Sequence, residues 1–328
     1  MKAAVYHRYG PPSVLQYTEV VEPRPAKGEI RIRVKACEAT KGDCELRSFH
    51  FAVKWFLVPL RMVLGVRKPR RTILGGYVAG TIDALGEGVT QFNIGDEVYG
   101  STQLRLGGYG QFVCVPQTYT MVKKPENLSF ADAASVPLGG LNAIHFMTLA
   151  DIQPGQRVLI NGAGGSIGSF ALQIAKLKGA HVTAVDAARK ADFLRNLGAD
   201  AVLDYREKPF YETTEHPFDV ILNMVAQGRF KNFVSALTDT GCYLMANPRL
   251  GDMVRAAWLN RTGRRRAVFA FAGETREELQ QLSLWLAEGQ IKPVVDKIFP
   301  LKDAALAHQH VEAEDRLGTI VLEHPGDD

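Results

Sequence analysis

Ile160-Asn161-Gly162-Ala163-Gly164-Gly165-Ser166-Ile167-Gly168 is the stretch on which the fold turns. Val158-Leu159-Ile160 before it is a continuous apolar run, and Ile167, Phe170, Ala171, Ile174 and Leu177 after it recur at helical spacing. The glycines therefore join a buried strand to an amphipathic helix. Gly162, Gly165 and Gly168 stand three apart. Glycine permits positive φ, a close backbone approach to a pyrophosphate and tight packing of helix on strand, while free N–H groups at the helix start hold the anion. Alone the string is weak, because Gly-rich turns often only join elements. Its place in a β-α-β order makes Gly162, Gly164, Gly165, Ser166, Ile167 and Gly168 a candidate dinucleotide-binding turn.

Downstream the alternation continues: a strand over 181–186, a helix carrying Phe193, Leu194 and Leu197 with Gly198 just past its end, and strands over 201–204 and 218–225. A helix with Phe230, Phe233, Val234 and Leu237 then leads to a strand over 242–246. This order predicts a doubly wound parallel sheet, an α/β fold of the Rossmann type. Asp186 lies at the end of the second strand, about 20 residues past the glycines, where an acid meets the ribose of NADH. Arg189 and Lys190 follow and suit the 2′-phosphate of NADPH, or are solvated cations of the next helix, so the sequence leaves NADPH versus NADH open. In such sheets ligands lie beyond the carboxyl ends of the strands, which makes Asn223, Val225, Ala246 and Asn247 candidate cofactor-lining residues.

Upstream the pattern is different. Residues 29–34 alternate, with Ile30, Ile32 and Val34 on one face and Arg31, Arg33 and Lys35 on the other, and further short strands over 77–85, 96–99 and 111–115 are separated by Gly-rich turns. These predict a β-rich substrate domain. After about residue 272 come a helix with Leu279, Leu282 and Leu286, an extended 291–299 and a strand over 319–322. The expected organisation is 1–126 for the first part of the substrate domain, 127–272 for the Rossmann domain and 273–328 for a return to the first.

The 328 residues are 46% hydrophobic and carry 39 basic against 35 acidic side chains, a net +4, too balanced to argue for nucleic acid. No stretch reaches the roughly 20 apolar residues of a membrane span, and no signal peptide is legible, so a cytoplasmic protein is expected. Cys37, Cys44, Cys114 and Cys242 lack CxxC spacing and read as reduced, mostly buried thiols.

Several motifs in one order resemble the medium-chain dehydrogenase/reductase superfamily, in its zinc-free branch of quinone oxidoreductases and zeta-crystallin-like enoyl reductases. They are Gly95-Asp96-Glu97-Val98, Gly107-Gly108-Tyr109-Gly110, the run Ala133-Ala134-Ser135-Val136-Pro137-Leu138-Gly139-Gly140-Leu141-Asn142-Ala143, the glycine turn, Leu197-Gly198-Ala199-Asp200 and the tail Ala307-His308. The resemblance spans nearly the whole chain. It implies a GroES-like substrate domain holding both chain ends, an active site in the cleft between domains, and a homodimer formed through the cofactor domain.

Zinc-dependent members carry Gly-His-Glu where this chain has Gly75-Gly76-Tyr77, no cysteine follows Pro137 at the third ligand position, and the four-cysteine structural loop is missing, so no metal is expected. Hydride transfer to an enone or quinone then requires orientation and hydrogen bonds to a delocalised charge rather than a Lewis acid. The resemblance puts Thr40 at the place of an active-site Asn and Tyr77 at that of a frequent Glu; both are candidate catalytic groups, against a buried structural role for Tyr77 and a turn-ordering one for Asp43. Asn142 falls where relatives touch the nicotinamide ribose or carboxamide, the alternative being a cap or turn contact. The segment 48–72 pairs Phe49, Phe51, Trp55, Phe56, Leu57 and Leu60 with Arg67-Lys68-Pro69-Arg70-Arg71 and reads as a pocket wall, a membrane contact or, most simply, a packed helix with a solvated charge run. Arg264-Arg265-Arg266 reads as a charged loop. His308 and His310 read as structural or surface residues in a helical tail. The function expected is an NAD(P)H-dependent reductase of a small conjugated carbonyl or quinone. The alternatives are zinc-free alcohol or aldehyde dehydrogenation and a non-catalytic NAD(P)-binding sensor or structural protein.

Overall fold

The structure is a computed structural model and describes residues 1–51, 54, 56–213, 216–226, 228–270 and 273–324. It divides into two units, one of Met1–Phe51, Leu57–Leu138 and Glu274–Asp328, the other of Ala52–Phe56 and Gly139–Gly273.

The first unit begins with an antiparallel pair, β1 (Lys2–Val5) and β2 (Gln16–Glu19), followed by β3 (Glu29–Ala39). Ile30, Ile32 and Val34 are buried, as their alternation requires; the strand then runs on through Ala36, Cys37, Glu38 and Ala39, all buried, where no alternation marks it. Next come α1 (Lys41–Ser48), α2 (Leu57–Leu64), β4 (Tyr77–Leu85), β5 (Glu97–Ser101), β6 (Phe112–Pro116), β7 (Met121–Lys123) and α3 (Phe130–Ala134). In 48–72 a helix is found, α2, which packs on one side only: Leu57, Leu60, Arg61 and Leu64 are half-buried and none of its eight residues is fully buried; Trp55 lies outside the described residues.

In the second unit α4 (Val136–Ala150) precedes β8 (Arg157–Asn161), α5 (Ser166–Leu177), β9 (His181–Asp186), α6 (Ala191–Asn196), β10 (Ala201–Asp204), α7 (Phe210–Thr213) and β11 (Phe218–Asn223). Then follow α8 (Phe230–Ser235), β12 (Leu237–Met245), α9 (Leu250–Thr262) and β13 (Arg266–Phe269). The six strands form one parallel sheet in the order β10-β9-β8-β11-β12-β13. The order reverses at β8, and the crevice beyond its carboxyl end is the ligand position of such sheets. Leu237 ends no helix: it starts β12 opposite Phe218. Arg266 opens β13 rather than belonging to a loop.

The chain returns to the first unit as α10 (Arg276–Ala287), β14 (Val295–Pro300), α11 (Ala304–Glu312) and β15 (Thr319–Glu323). Here the sheet order is β14-β15-β3-β4-β5-β7, with β6 also on β3. Its core gathers Ile30, Ile32, Val78, Val98, Leu301 and Ile320. That of the second unit gathers Leu159, Val185, Ile221, Phe233 and Tyr243. Among the described residues no helix is long and apolar enough to cross a membrane.

Candidate functional site

The glycine turn leaves β8 through Gly162, whose φ of +87° is left-handed and whose N–H donates to the Val185 carbonyl at 2.9 Å. Two other glycines are fixed by crowding. A Cβ on Gly168 would lie 2.3 Å from the Gly162 carbonyl oxygen, and one on Gly164 would lie 2.5 Å from the Lys190 chain. Gly165 differs, since a Cβ there meets nothing closer than 3.8 Å. It is the N-cap of α5 and offers no side chain to the helix's first N–H groups. Beside them Ser166 Oγ is buried without a hydrogen-bond partner, and Gly139 of α4 packs against the same serine. An uncapped twelve-residue helix with an orphaned hydroxyl in its first turn leaves donors free to meet an anion.

Asp186 ends β9. Its Oδ2 accepts from Gly164 N–H at 2.8 Å, its Oδ1 from Ala187 N–H at 2.8 Å, and Lys190 Nζ stands 3.4 Å from Oδ1. Both side chains of that pair are largely buried, whereas Arg189 is exposed. The pair clasps the outside of the turn. At the neighbouring strand ends Asn161 donates to Asn223 Oδ1 (2.8 Å) and Asn223 donates to the Tyr243 hydroxyl (3.1 Å), locking β8, β11 and β12 together. Val225 lies against Gly162, Ala246 N–H donates to the Asn223 carbonyl, and the Asn247 amide donates to the Met224 carbonyl. Asn223, Val225, Phe230, Tyr243 and Asn247 bound a small recess there. Asn142 stands half-buried in the middle of α4, so it does not cap that helix.

In the first unit Thr40 caps α1. Its Oγ1 accepts from Asp43 N–H (2.9 Å) and donates to Asp43 Oδ2 (2.7 Å), while Asp43 Oδ1 accepts from Gly75 N–H (3.0 Å). The Thr40 hydrogen is thus held within the protein, and Asp43 ties α1 to Gly75-Gly76-Tyr77. Tyr77 heads β4 and its phenol donates to Glu274 Oε1 at 2.6 Å; Ser101 Oγ donates to Glu274 Oε2 at 2.6 Å. Burial first, then the Glu274 charge, pushes the Tyr77 phenol well above 10. Glu274 and Ser101 were not legible as site residues, because 197 and 173 residues separate Glu274 from Tyr77 and Ser101. Asn161 lies within the glycine string, where its strand-end side chain was the available signal. Phe49 packs edge-on to Tyr9 and Phe51, with the Arg61 guanidinium over its face. Among the described residues no three His, Cys, Asp or Glu side chains group to hold a metal.

A parallel sheet with a glycine turn opening a helix beside its switch point, joined in one chain to a β-rich unit, defines a dinucleotide-dependent dehydrogenase architecture. The family model for the alcohol dehydrogenase GroES-like domain matches residues 26–126, and that for zinc-binding dehydrogenase matches residues 197–322. The chain is 28% identical to a chloroplast envelope quinone oxidoreductase homolog of Arabidopsis thaliana, over 98% of each chain. It is 29% identical to a chloroplastic NADPH-dependent alkenal/one oxidoreductase of the same plant, over 98% of this chain and 79% of that one. The solved quinone oxidoreductase of Coxiella burnetii superposes with a TM-score of 0.87 at 29% identity, covering 98% of this chain and 99% of the other. The chain belongs to the medium-chain dehydrogenase/reductase superfamily, in its quinone oxidoreductase-like branch, and is an NAD(P)H-dependent oxidoreductase.

Proposed function

We propose that the chain reduces a quinone, an enone or another conjugated carbonyl, without zinc. The carrying observation is the start of β4. Gly76 and Tyr77 stand where zinc-dependent members hold His and Glu, and the Tyr77 phenol faces a carboxylate, Glu274. With no histidine or cysteine to bind a Lewis acid there, an acceptor that delocalises its own developing charge is the easier substrate.

The bound nicotinamide supplies the hydride. In this reading the first turn of α5 and Ser166 Oγ bind the pyrophosphate, Asp186, Arg189 and Lys190 meet the adenosine ribose or its phosphate, and Asn142, Asn223, Val225, Ala246 and Asn247 line the rest of the cofactor. Tyr77, kept neutral by burial, turns from Glu274 to give its proton to the enolate oxygen, and the phenolate left behind recovers a proton from water. Thr40 acts through Asp43, which positions the Gly75–Tyr77 turn. The free thiols suit a reducing compartment such as the cytoplasm. We further infer a homodimer, formed through the second unit.

The test compares NADPH and NADH oxidation by a benzoquinone and by an acyclic enone with NAD(P)+ reduction by an alcohol, each with and without a chelator. Chelator-insensitive reduction of a conjugated acceptor is expected. Alcohol oxidation that needs zinc would overturn the reading, and tight cofactor binding with no turnover on any acceptor would make the chain a sensor.

A further inference from the structure

From Leu46 to Ile82 the sequence contains no Asp or Glu and seven Lys or Arg: Arg47, Lys54, Arg61, Arg67, Lys68, Arg70 and Arg71. The rest of the chain holds 32 basic and 35 acidic residues, a net −3, so this one segment makes the molecule cationic. Arg47 is buried against Glu312, and Arg61 lies over the rings of Tyr9 and Phe49. Arg67, Lys68, Arg70 and Arg71 are exposed.

Between these cations α2 turns the wrong face outward for a globular helix. Leu57, Leu60, Arg61 and Leu64, at helical spacing, are its half-buried side, while Val58 (73%), Met62 (58%) and Val63 (59%) face solvent, and Val66 (59%) continues the patch beyond the helix end. The turn after α2 is fixed. Tyr9 donates to the Gly65 carbonyl at 2.7 Å, Arg70 N–H to the Leu64 carbonyl at 2.8 Å, and Arg61 Nε to the Val66 carbonyl at 2.9 Å. The exposed cations therefore stay beside the exposed apolar side chains.

We propose that α2 and the turn 65–71 form a docking surface for an anionic phospholipid bilayer. The apolar side chains enter the headgroup boundary, and Arg67, Lys68, Arg70 and Arg71 meet lipid phosphates. The charge complementarity selects the occupant: a polyanion in water would engage the cations but leave Val58, Met62, Val63 and Val66 wet, whereas a bilayer engages both. The proposal goes beyond the substrate reading and stands whether or not a quinone is the acceptor.

The full chain is sedimented with vesicles of phosphatidylcholine alone and of phosphatidylcholine containing phosphatidylglycerol. Binding to the anionic vesicles, weakened by salt, is expected. Each cation neutralised should weaken it about fivefold. The triple variant Arg67→Ala, Lys68→Ala, Arg71→Ala should then bind about a hundredfold more weakly. The variant Val58→Ser, Met62→Ser, which keeps every charge, should lose binding about tenfold or more. Cofactor affinity and circular dichroism, unchanged in both variants, exclude misfolding as the cause. Three results would overturn the proposal: no binding to anionic vesicles, binding to a nucleic-acid duplex while the serine variant loses nothing on vesicles, or a change of oligomeric state as the only effect of the serine substitutions.

Discussion

A histidine and a phenol show how single residues set behaviour here. His308 is fully buried, with Nδ1 3.1 Å from Arg47 and Nε2 2.8 Å from the Tyr109 hydroxyl. Arginine can only donate, so Nδ1 accepts, Nε2 carries the hydrogen, and Tyr109 passes its own to Asp43. A proton added to His308 has no place. Burial, aided by the Arg47 charge, lowers its pKa to about 3, and burial lowers that of His324 to about 4. Both groups are depressed, so their contribution to stability is whole above the unfolded value of about 6.5 and is lost as pH falls toward the folded values. From about pH 6.5 down to about pH 5, unfolding should therefore take up as many as two protons, each removing about 1.4 kcal/mol per pH unit. Denaturant titrations should show a shallower slope, by one proton, in His308→Gln. For catalysis, Tyr77→Phe should lower kcat on an enone by about a hundredfold with cofactor affinity unchanged. Glu274→Gln keeps a hydrogen-bond acceptor but removes the charge that raises the phenol, so the alkaline limb of its rate profile should move to lower pH. An unchanged kcat in Tyr77→Phe would take the proton donor elsewhere.

Elements carry the cofactor reading. Gly165 alone in the turn has room for a side chain, at a φ of −91° that any residue adopts. Gly165→Asp should fold with unchanged melting temperature yet weaken NADPH binding at least about tenfold, because its carboxylate would face the pyrophosphate proposed at the helix start. Fluorescence titration reads this, and unchanged affinity would displace the site. The Asp186–Lys190 pair makes a second prediction. Asp186→Asn keeps an acceptor for Gly164 N–H but leaves a buried ammonium unpaired, so selectivity for NADPH, whose phosphate can pair with it, should rise about tenfold or more. Strands with one polar face, such as β4, and the strand-turn-helix of β8 and α5 were legible because contrast in polarity betrays their period. α4 was not, since it is apolar nearly all round and buried, and α9 was not, since Ala256 is its one buried residue and its apolar stripe faces away from the core. Within the candidate site, the glycine turn could be read because its strand, glycines and helix are contiguous in sequence, whereas Tyr77 and Glu274 meet only through the tertiary fold.

At the scale of the whole molecule, association turns on the end of the second unit's sheet. Among the described residues β13 is an edge strand, and an edge invites pairing with another copy. Ala267, however, turns its N–H and carbonyl toward the side chain of Asn260, which accepts from the first at 2.8 Å and donates to the second at 2.9 Å. That amide closes the middle of the edge. On the adjoining α9, Leu250, Val254 and Trp258 recur every four residues, and Trp258 is 68% exposed. Burying such a stripe is favoured by about 25 cal/mol per Å² of apolar surface, whereas joining the edges first requires breaking two good hydrogen bonds. A homodimer through the second unit should therefore use the α9 face. Trp258→Glu should convert the proposed dimer to monomers in light scattering, and Asn260→Ala, which uncovers the edge, should leave that dimer as it is. If instead Trp258→Glu stays dimeric while Asn260→Ala associates more tightly, the sheets join edge to edge and the helix stripe serves another partner.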